Sequence, residues 1–235
     1  PFSELSFPLK SETSLNINIG LKYNPTNKLS FDINLFNNKV NDLIEWQLVA
    51  IGENNTNIYS YFNVNQVETK GLEFNSTYTK TDNWEIKFGY QLLYAYDTEV
   101  VKDIEQDDSD YYALDTETLT SIKLNKDDYF GLFNRSRHMG NIKLNYHLNE
   151  KTDLNAMLTY RSKYALSDSN GNDILDAYDK FIDGYSLCDV GVTHHINPLQ
   201  SCQIGIKNIF GFTNPEYISN ITGRLYYMNF KINFK

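Results

Sequence analysis

The chain has 235 residues, of which 41% are hydrophobic and 14% aromatic, with 18 Tyr and 14 Phe, and a net charge of −9. That acidity excludes nucleic acid as a partner, which requires a basic surface. No run approaches the roughly 18 consecutive apolar residues of a membrane-spanning helix, but strands that alternate apolar and polar residues hide their hydrophobicity from window averages, so a spanning β-barrel remains open.

Residues 1–11 read as irregular, broken by Pro1 and Pro8. Leu15, Ile17, Ile19, Leu21 and Tyr23 then alternate with Asn16, Asn18, Gly20 and Lys22, the period of two that defines a strand with one apolar face. Asn24 to Lys28 has the composition of a turn. A second strand starts with Leu29, Phe31, Ile33 and Leu35 and runs to about Leu48. After a polar loop from Ile51 to Asn57, a third covers Ile58 to Thr79, where Gly71 marks a bulge or a close contact. Lys80 to Asn83 turns into the clearest alternation in the chain, Trp84, Ile86, Phe88, Tyr90, Leu92, Tyr94 and Tyr96.

A long loop follows, from Asp97 to Phe133. The fifth strand is carried by Gly140, Ile142, Leu144, Tyr146 and Leu148, and the sixth by Leu154, Ala156, Leu158 and Tyr160. A second long loop spans Ala165 to Asp183. Cys188, Val190, Val192 and Ile196 carry the seventh strand, Cys202, Ile204 and Ile206 the eighth. Beyond the loop from Gly211 to Ile221, Thr222 to Phe234 closes the chain, with Tyr226, Met228, Phe230, Ile232 and Phe234 on one face and a mostly polar row on the other. No helical pattern of useful length appears.

Short turns near 24–28, 80–83, 149–153 and 197–200 alternate with longer loops near 49–57, 97–133, 165–183 and 211–221. Outer-membrane barrels have this asymmetry, with short periplasmic turns and long extracellular loops. The expected fold is all-β: an antiparallel meander of about nine strands forming the C-terminal portion of a large transmembrane β-barrel, one face toward lipid and one toward a lumen. With the chain-reversing turn centred near Leu199, Cys188 would oppose Phe210 and Cys202 would oppose Ile196, too far out of register for a disulfide.

Five stretches resemble, in order, the C-terminal half of TonB-dependent outer-membrane receptors. They are Leu9-Lys10-Ser11-Glu12-Thr13 with Gly20-Leu21-Lys22-Tyr23, Asn63 to Phe74 with its Lys70-Gly71-Leu72-Glu73, Arg135 to Tyr146, Lys207-Asn208-Ile209-Phe210, and Tyr217 with Gly223-Arg224. Ser11 stands where the family usually has Pro, and Lys235 follows the terminal aromatic Phe234. The resemblance implies a barrel of about 22 strands with a plugged lumen. This chain would supply the last nine as one segment over 1–235, with the plug domain and about 13 earlier strands lying outside it. It implies a receptor that imports a scarce, bulky solute with energy from a TonB-type inner-membrane protein acting through the plug. The expected cargo is an iron complex, haem or ferric siderophore, with cobalamin or a glycan as further options. A passive porin or adhesin barrel, or a soluble sugar-binding β-sandwich, are the competing classes.

No Ser/His/Asp spacing, phosphate loop or Cys/His metal spacing points to an enzyme. His194 and His195 are adjacent on a strand and so face opposite ways. His138, at the outer end of a strand, invites a haem-ligand reading but fits a structural role better. Between Asp97 and Asp128 lie eleven acids against Lys102, Lys123 and Lys126, a net −8. This stretch reads as a solvated surface loop or as a lid over the mouth with Tyr111 and Tyr112 touching ligand. Arg135 and Arg137, where the loop re-enters the sheet, are candidates to pair with its acids or to receive an anionic ligand. The second loop carries Asp168, Asn170, Asn172, Asp173 and Asp176, an alternation like the start of a calcium loop, or an Asn/Asp/Gly-rich turn. It lacks the closing Glu and the flanking helices of an EF-hand, and its Gly171 comes two places early.

Overall fold

The computed structural model describes residues 8–51, 56–81, 83–106, 111–115, 118 and 120–234. Nine strands form one antiparallel sheet in sequence order: β1 (Thr13–Thr26), β2 (Leu29–Ile51), β3 (Asn57–Thr81), β4 (Trp84–Asp97), β5 (His138–Asn149), β6 (Thr152–Arg161), β7 (Tyr185–Asn197), β8 (Gln200–Lys207) and β9 (Leu225–Ile232). The described sheet is open, with β1 and β9 as its edges. The meander and the strand count match the expectation from alternation alone.

Register confirms the two faces. Across β2, β3 and β4 the pairs Ile33↔Phe74 and Leu35↔Leu72 continue as Phe74↔Tyr90 and Leu72↔Leu92, an unbroken apolar row. The opposite row runs Asn34↔Glu73, then Glu73↔Gln91 and Asn75↔Gly89. On that side Asn34 Nδ2 and Gln91 Nε2 both donate to the Glu73 carboxylate, at 3.4 and 3.3 Å. Both rows are uncovered along the edge strands, the apolar one included: Ile19 is 66% exposed, Tyr226 70% and Met228 71%. The buried apolar residues lie instead at strand ends and in the connections, among them Val100, Ala113, Leu124, Ile174 and Leu175. A protein that exposes its sheet's apolar face and buries its loops is built for hydrocarbon around the sheet.

β2 and β3 have 23 and 25 residues. At about 3.3 Å per residue that is well over twice the roughly 25 Å apolar band of such a barrel. Their far halves therefore project beyond the membrane, and the polar side chains Asn37, Lys39, Glu68 and Lys70 on the outer row follow the end of the band. Pro25 is accommodated because the β1–β2 register shifts between Tyr23 and Thr26, leaving no ladder bond for it to break.

Two expectations are corrected. The seventh and eighth strands turn at 197–200 as expected, but the register shifts at a bulge between His195 and Asn197, so Cys202 faces His194, not Ile196. Cys188 likewise lies two residues away from the position opposite Phe210, and both thiols are free. The loop after β4 does contain a helix, α1 (Thr98–Glu105). Asp97 caps it, its side chain accepting from Glu99 N at 2.8 Å, and Val100 and Ile104, one turn apart, are buried beneath it. Two turns inside an acid-rich stretch are too short to show a period.

Candidate functional site

All long connections emerge at one end of the sheet, and they hold one another. Ala113 and Leu124 of the first loop pack with Val100 and Ile104 of α1 and with Ile174 of the second loop; Tyr111, Tyr129 and Tyr178 close around them. Leu175–Asp176 of the second loop pairs antiparallel with Tyr129–Gly131 of the first. Asn172 Nδ2 donates to Tyr112 O at 3.1 Å, and Asn134 N to Ala165 O at 2.7 Å. A second cluster joins Tyr164 and Ile182 to Ile218 of the last loop, with Tyr185 stacked on Phe212 at 4.7 Å. Buried Asn208 stitches this loop down: its Nδ2 donates to Phe212 O at 2.7 Å and to Thr222 O at 3.0 Å. The Asn of the Lys207-Asn208-Ile209-Phe210 motif is thus the knot between β8 and β9.

The acid-rich loop is therefore a folded cap, not a solvated tether. Several of its acids are spent on structure: Asp97 caps α1, Asp128 Oδ2 accepts from Asn125 N at 3.0 Å, and Glu105 pairs with Lys126. Asp107, Asp108, Asp110 and Glu117 lie outside the described residues. The Tyr129 hydroxyl accepts from Asp97 N at 3.0 Å, and burial above all pushes its phenol up to about 12.

The four candidate ligand residues separate in this setting. Tyr111 packs into the cap's core, where burial first and the carboxylates of Asp103 and Asp97 next raise its pKa. Tyr112 has its backbone fixed by Asn172 while its ring stays 45% exposed. Arg135 is exposed. Arg137 is half-buried, with Cζ 4.9 Å from the ring centres of both Tyr94 and Phe130, and Nη2 donating to Phe130 O at 3.3 Å. Tyr112 and Arg135 are thus the two of the four that face solvent freely. His138 shares a hydrogen bond with the Tyr90 hydroxyl at 2.8 Å on the outer, apolar row, turned away from the lumen.

The second loop's Asp168 and Asp176 carboxylates are engaged by the loop's own N–H groups. Asp168 Oδ1 accepts from Asn170 N and Gly171 N, and its Oδ2 from Asp173 N at 2.8 Å. Asp176 Oδ2 accepts from the side-chain amides of Asn170 and Asn172, at 3.0 and 2.7 Å, and its Oδ1 from Tyr178 N. Calcium needs six to eight oxygens turned on one point; the Asp168 and Asp176 carboxylates are each engaged by N–H donors of the loop, while Asn170 Oδ1 is buried with no hydrogen-bond partner. Among the described residues no group of three acidic, His or Cys side chains is placed to hold a metal ion. EDTA is accordingly expected to leave the cap's resistance to protease unchanged. A chelator-dependent cleavage between residues 165 and 183, reversed by calcium, would overturn that.

Sequence reasoning missed Asp179, whose Oδ1 accepts from Ser169 N and Oγ and whose Oδ2 accepts from Asp176 N at 2.9 Å. It also missed Arg161, which lies 3.6 Å over the Tyr164 ring and donates to Ser136 Oγ at 2.7 Å. At the opposite end of the sheet Asp153 joins His147 and His195, at 2.6 and 2.8 Å, while His194 turns the other way to Thr152 Oγ1. The opposed faces of the two adjacent histidines were readable from strand geometry; their partners were not.

The fold has solved counterparts. A mutant of the ferric enterobactin receptor PfeA from Pseudomonas aeruginosa is 20% identical, with a TM-score of 0.65 over 96% of this chain and 32% of its own. The ferric-catecholate import receptor Fiu from K12 E. coli is 16% identical, with a TM-score of 0.55 over 87% of this chain and 24% of its own. The siderophore receptor PirA from Acinetobacter baumannii is 15% identical, with a TM-score of 0.63 over 96% and 32%. The chain thus spans about a third or less of the length of these receptors. No curated protein matches it. The family model "TonB dependent receptor-like, beta-barrel" matches residues 1–209. With that match, the inside-out sheet and the one-sided loops, the chain belongs to the TonB-dependent receptor β-barrel family of the bacterial outer membrane.

Proposed function

We propose that the protein containing this chain captures an iron complex, a ferric siderophore or haem, at the cell surface and imports it with energy from a TonB-type inner-membrane complex. The chain would form the last nine strands of the barrel wall, with the plug and the earlier strands supplied from upstream. The observation that carries the reading is the cap: three long connections from one end of a family barrel, packed into one body that leaves Tyr112 and Arg135 exposed. A preformed surface with an aromatic ring and a guanidinium suits a bulky ligand carrying anionic oxygens, because little ordering remains to be done on binding.

The test uses the intact receptor, titrated with a ferric catecholate siderophore and separately with haem. Saturable binding of one of them is expected, and Arg135→Ala should weaken it about tenfold, the loss of one charge-assisted hydrogen bond. Binding of neither would overturn the cargo. Solute entry that continues without the energising complex would instead mark a passive porin.

A further inference from the structure

We infer that β2 and β3, at the level where they leave the sheet, carry a latch that couples the segment leading into β1 to the start of the cap, so that releasing one end releases the other. The latch is built from Lys10, Asn41, Asp42, Asn63, Gln66 and Thr98, and it works whatever the receptor imports.

The place of the latch is fixed by register. The β1–β2 ladder ends at Thr13↔Asn41 and the β3–β4 ladder at Val67↔Asp97, while β2 and β3 stay paired with each other as far as Ile51↔Asn57. Beyond Asn41 and Gln66, among the described residues, the two strands run on as a ribbon with no strand on either flank. A two-stranded ribbon in water is marginal by itself, so its root must be held by other groups. The first residue past the β1 ladder is Asp42, with a φ of 52° inside β2. A non-glycine residue keeps that left-handed conformation only where its surroundings enforce it.

Both faces of the root are held. On one, the Asn63 carboxamide stands in for a peptide group. Its Oδ1 accepts from Lys10 N at 2.7 Å, and its Nδ2 donates to Lys10 O at 3.0 Å and to Asp42 O at 2.6 Å. Both amide hydrogens are therefore used, one of them on the left-handed residue itself. Glu12 Oε2 accepts from Ile44 N at 3.3 Å, and Lys10 Nζ lies 3.8 Å from Asp42 Oδ1. Asn63 and Gln66 are an odd number of residues apart in one strand, so Gln66 projects from the other face. There Asn41 Nδ2 donates to Thr13 Oγ1 at 3.5 Å, and Gln66 Nε2 donates to Asn41 Oδ1. Thr98 Oγ1 shares its hydrogen between Gln66 Oε1 at 2.9 Å and Gln66 O at 3.1 Å. Thr98 is buried and is the first residue of α1. A row of side chains thus runs from the entry of β1 across β2 and β3 to the start of the cap helix. The two faces share the backbone of Asn41–Asp42 and of the segment entering β1, so they form one network. Two stretches that stand out in the sequence meet in it, Lys10 and Glu12 from the first and Asn63 from the second. In such a network each bond orients the group that makes the next, and breaking one frees its neighbour to turn.

The experiment follows amide hydrogen exchange of the intact receptor in neutral detergent, read by mass spectrometry on peptides covering residues 8–14, 40–45 and 97–106. Thr98→Val keeps the side chain's shape and removes its hydroxyl. It should speed exchange about tenfold, the effect of one lost hydrogen bond, in all three peptides and not only in its own. Thr98→Ser, which keeps the donor, should exchange like the parent. Asn63→Asp keeps the acceptor for Lys10 N and loses both donors, and it too should speed exchange in all three. The double variant Asn63→Asp with Thr98→Val should exchange no faster than the more damaging single, because one break already releases the network. Should Asn63→Asp fail to assemble, as read by heat-modified gel mobility, Thr98→Val alone decides through the peptide covering 8–14. Acceleration confined to 97–106 in Thr98→Val, acceleration absent from 97–106 in Asn63→Asp, or effects that multiply in the double variant would each overturn the coupling and leave two separate local contacts.

Discussion

Asp176→Ala is expected to open the cap while leaving the nine-stranded sheet assembled. Asp176 is fully buried. Its two carboxylate oxygens accept from Asn170 Nδ2, Asn172 Nδ2 and Tyr178 N, and its own N–H goes to Asp179 Oδ2. Removing the carboxylate strands three donors in a site with little water to replace it. At about 1–3 kcal/mol for each unsatisfied buried group, the cap should lose on the order of 3–5 kcal/mol. The damage spreads because Asp176 also sits in the short ladder to Tyr129–Gly131 that joins the two loops, next to Leu175 and Ile174, both buried. The sheet should be spared, since its bonds run strand to strand and use none of these groups. Limited proteolysis of the intact receptor reads the difference. Cleavage within residues 98–137 and 162–184 should accelerate strongly, with heat-modified mobility of the barrel unchanged. Asp176→Asn, which keeps one acceptor oxygen, should fall between. A cleavage pattern identical to the parent's would show that the carboxylate does not hold the loops. Siderophore or haem binding measured on the same variant then tests whether a closed cap is required for capture.

The sheet was legible in the sequence because its physics is local. Each strand must present apolar side chains to lipid at every second residue, so Trp84 to Tyr96 or Tyr226 to Phe234 announces itself without reference to any other strand. The turns were legible because Asn-Pro and Asn/Asp-rich pairs have few other uses. The cap was not, because its core is assembled from single residues of no common period: Val100 comes from α1, Ala113 from the short strand Tyr112–Asp115, Leu124 from just after its partner strand Thr120–Lys123, and Ile174 from a separate loop. The same limit explains the candidate residues. Arg137 and Tyr111 had the right chemistry and place in the chain, but burial and ring contacts, which depend on distant segments, decide which side chains remain available. The Asp/Asn alternation at 168–176 illustrates the point from the other side. Its spacing suits cation ligands or Asx turns equally, and only the direction of the N–H groups tells them apart.

Gly71→Ala is expected to impair assembly of the barrel wall more than any other single methyl-sized change in β3. Gly71 lies on the lumen-facing row between Thr69 and Glu73, opposite Phe36 of β2 and Leu93 of β4. A Cβ there would stand 2.0 Å from the Leu92 carbonyl oxygen and 2.8 Å from Phe36 Cζ. The ring can turn away; the carbonyl oxygen is main chain in a central strand and cannot move without loosening the β3–β4 ladder. This accounts for a large apolar side chain between Asn34 and Asn38 on the lumen-facing row of β2: Phe36 covers bare backbone that no side chain of residue 71 is able to cover. The expected cost is about 3 kcal/mol, at the upper end for overpacking because the obstacle is backbone. It should appear as a reduced folded fraction by heat-modified mobility and an earlier urea midpoint. Gly20→Ala is the control. It too lies in a strand, but its nearest new neighbour is Ile33 O at 3.8 Å, ordinary contact, and it should change stability by no more than about 0.5 kcal/mol. The pair Gly71→Ala with Phe36→Ala separates the two clashes. Because it removes only the ring, it should remain as defective as Gly71→Ala alone. Recovery in the double variant would mean that the Phe36 ring, and not the Leu92 carbonyl, is what keeps this position glycine.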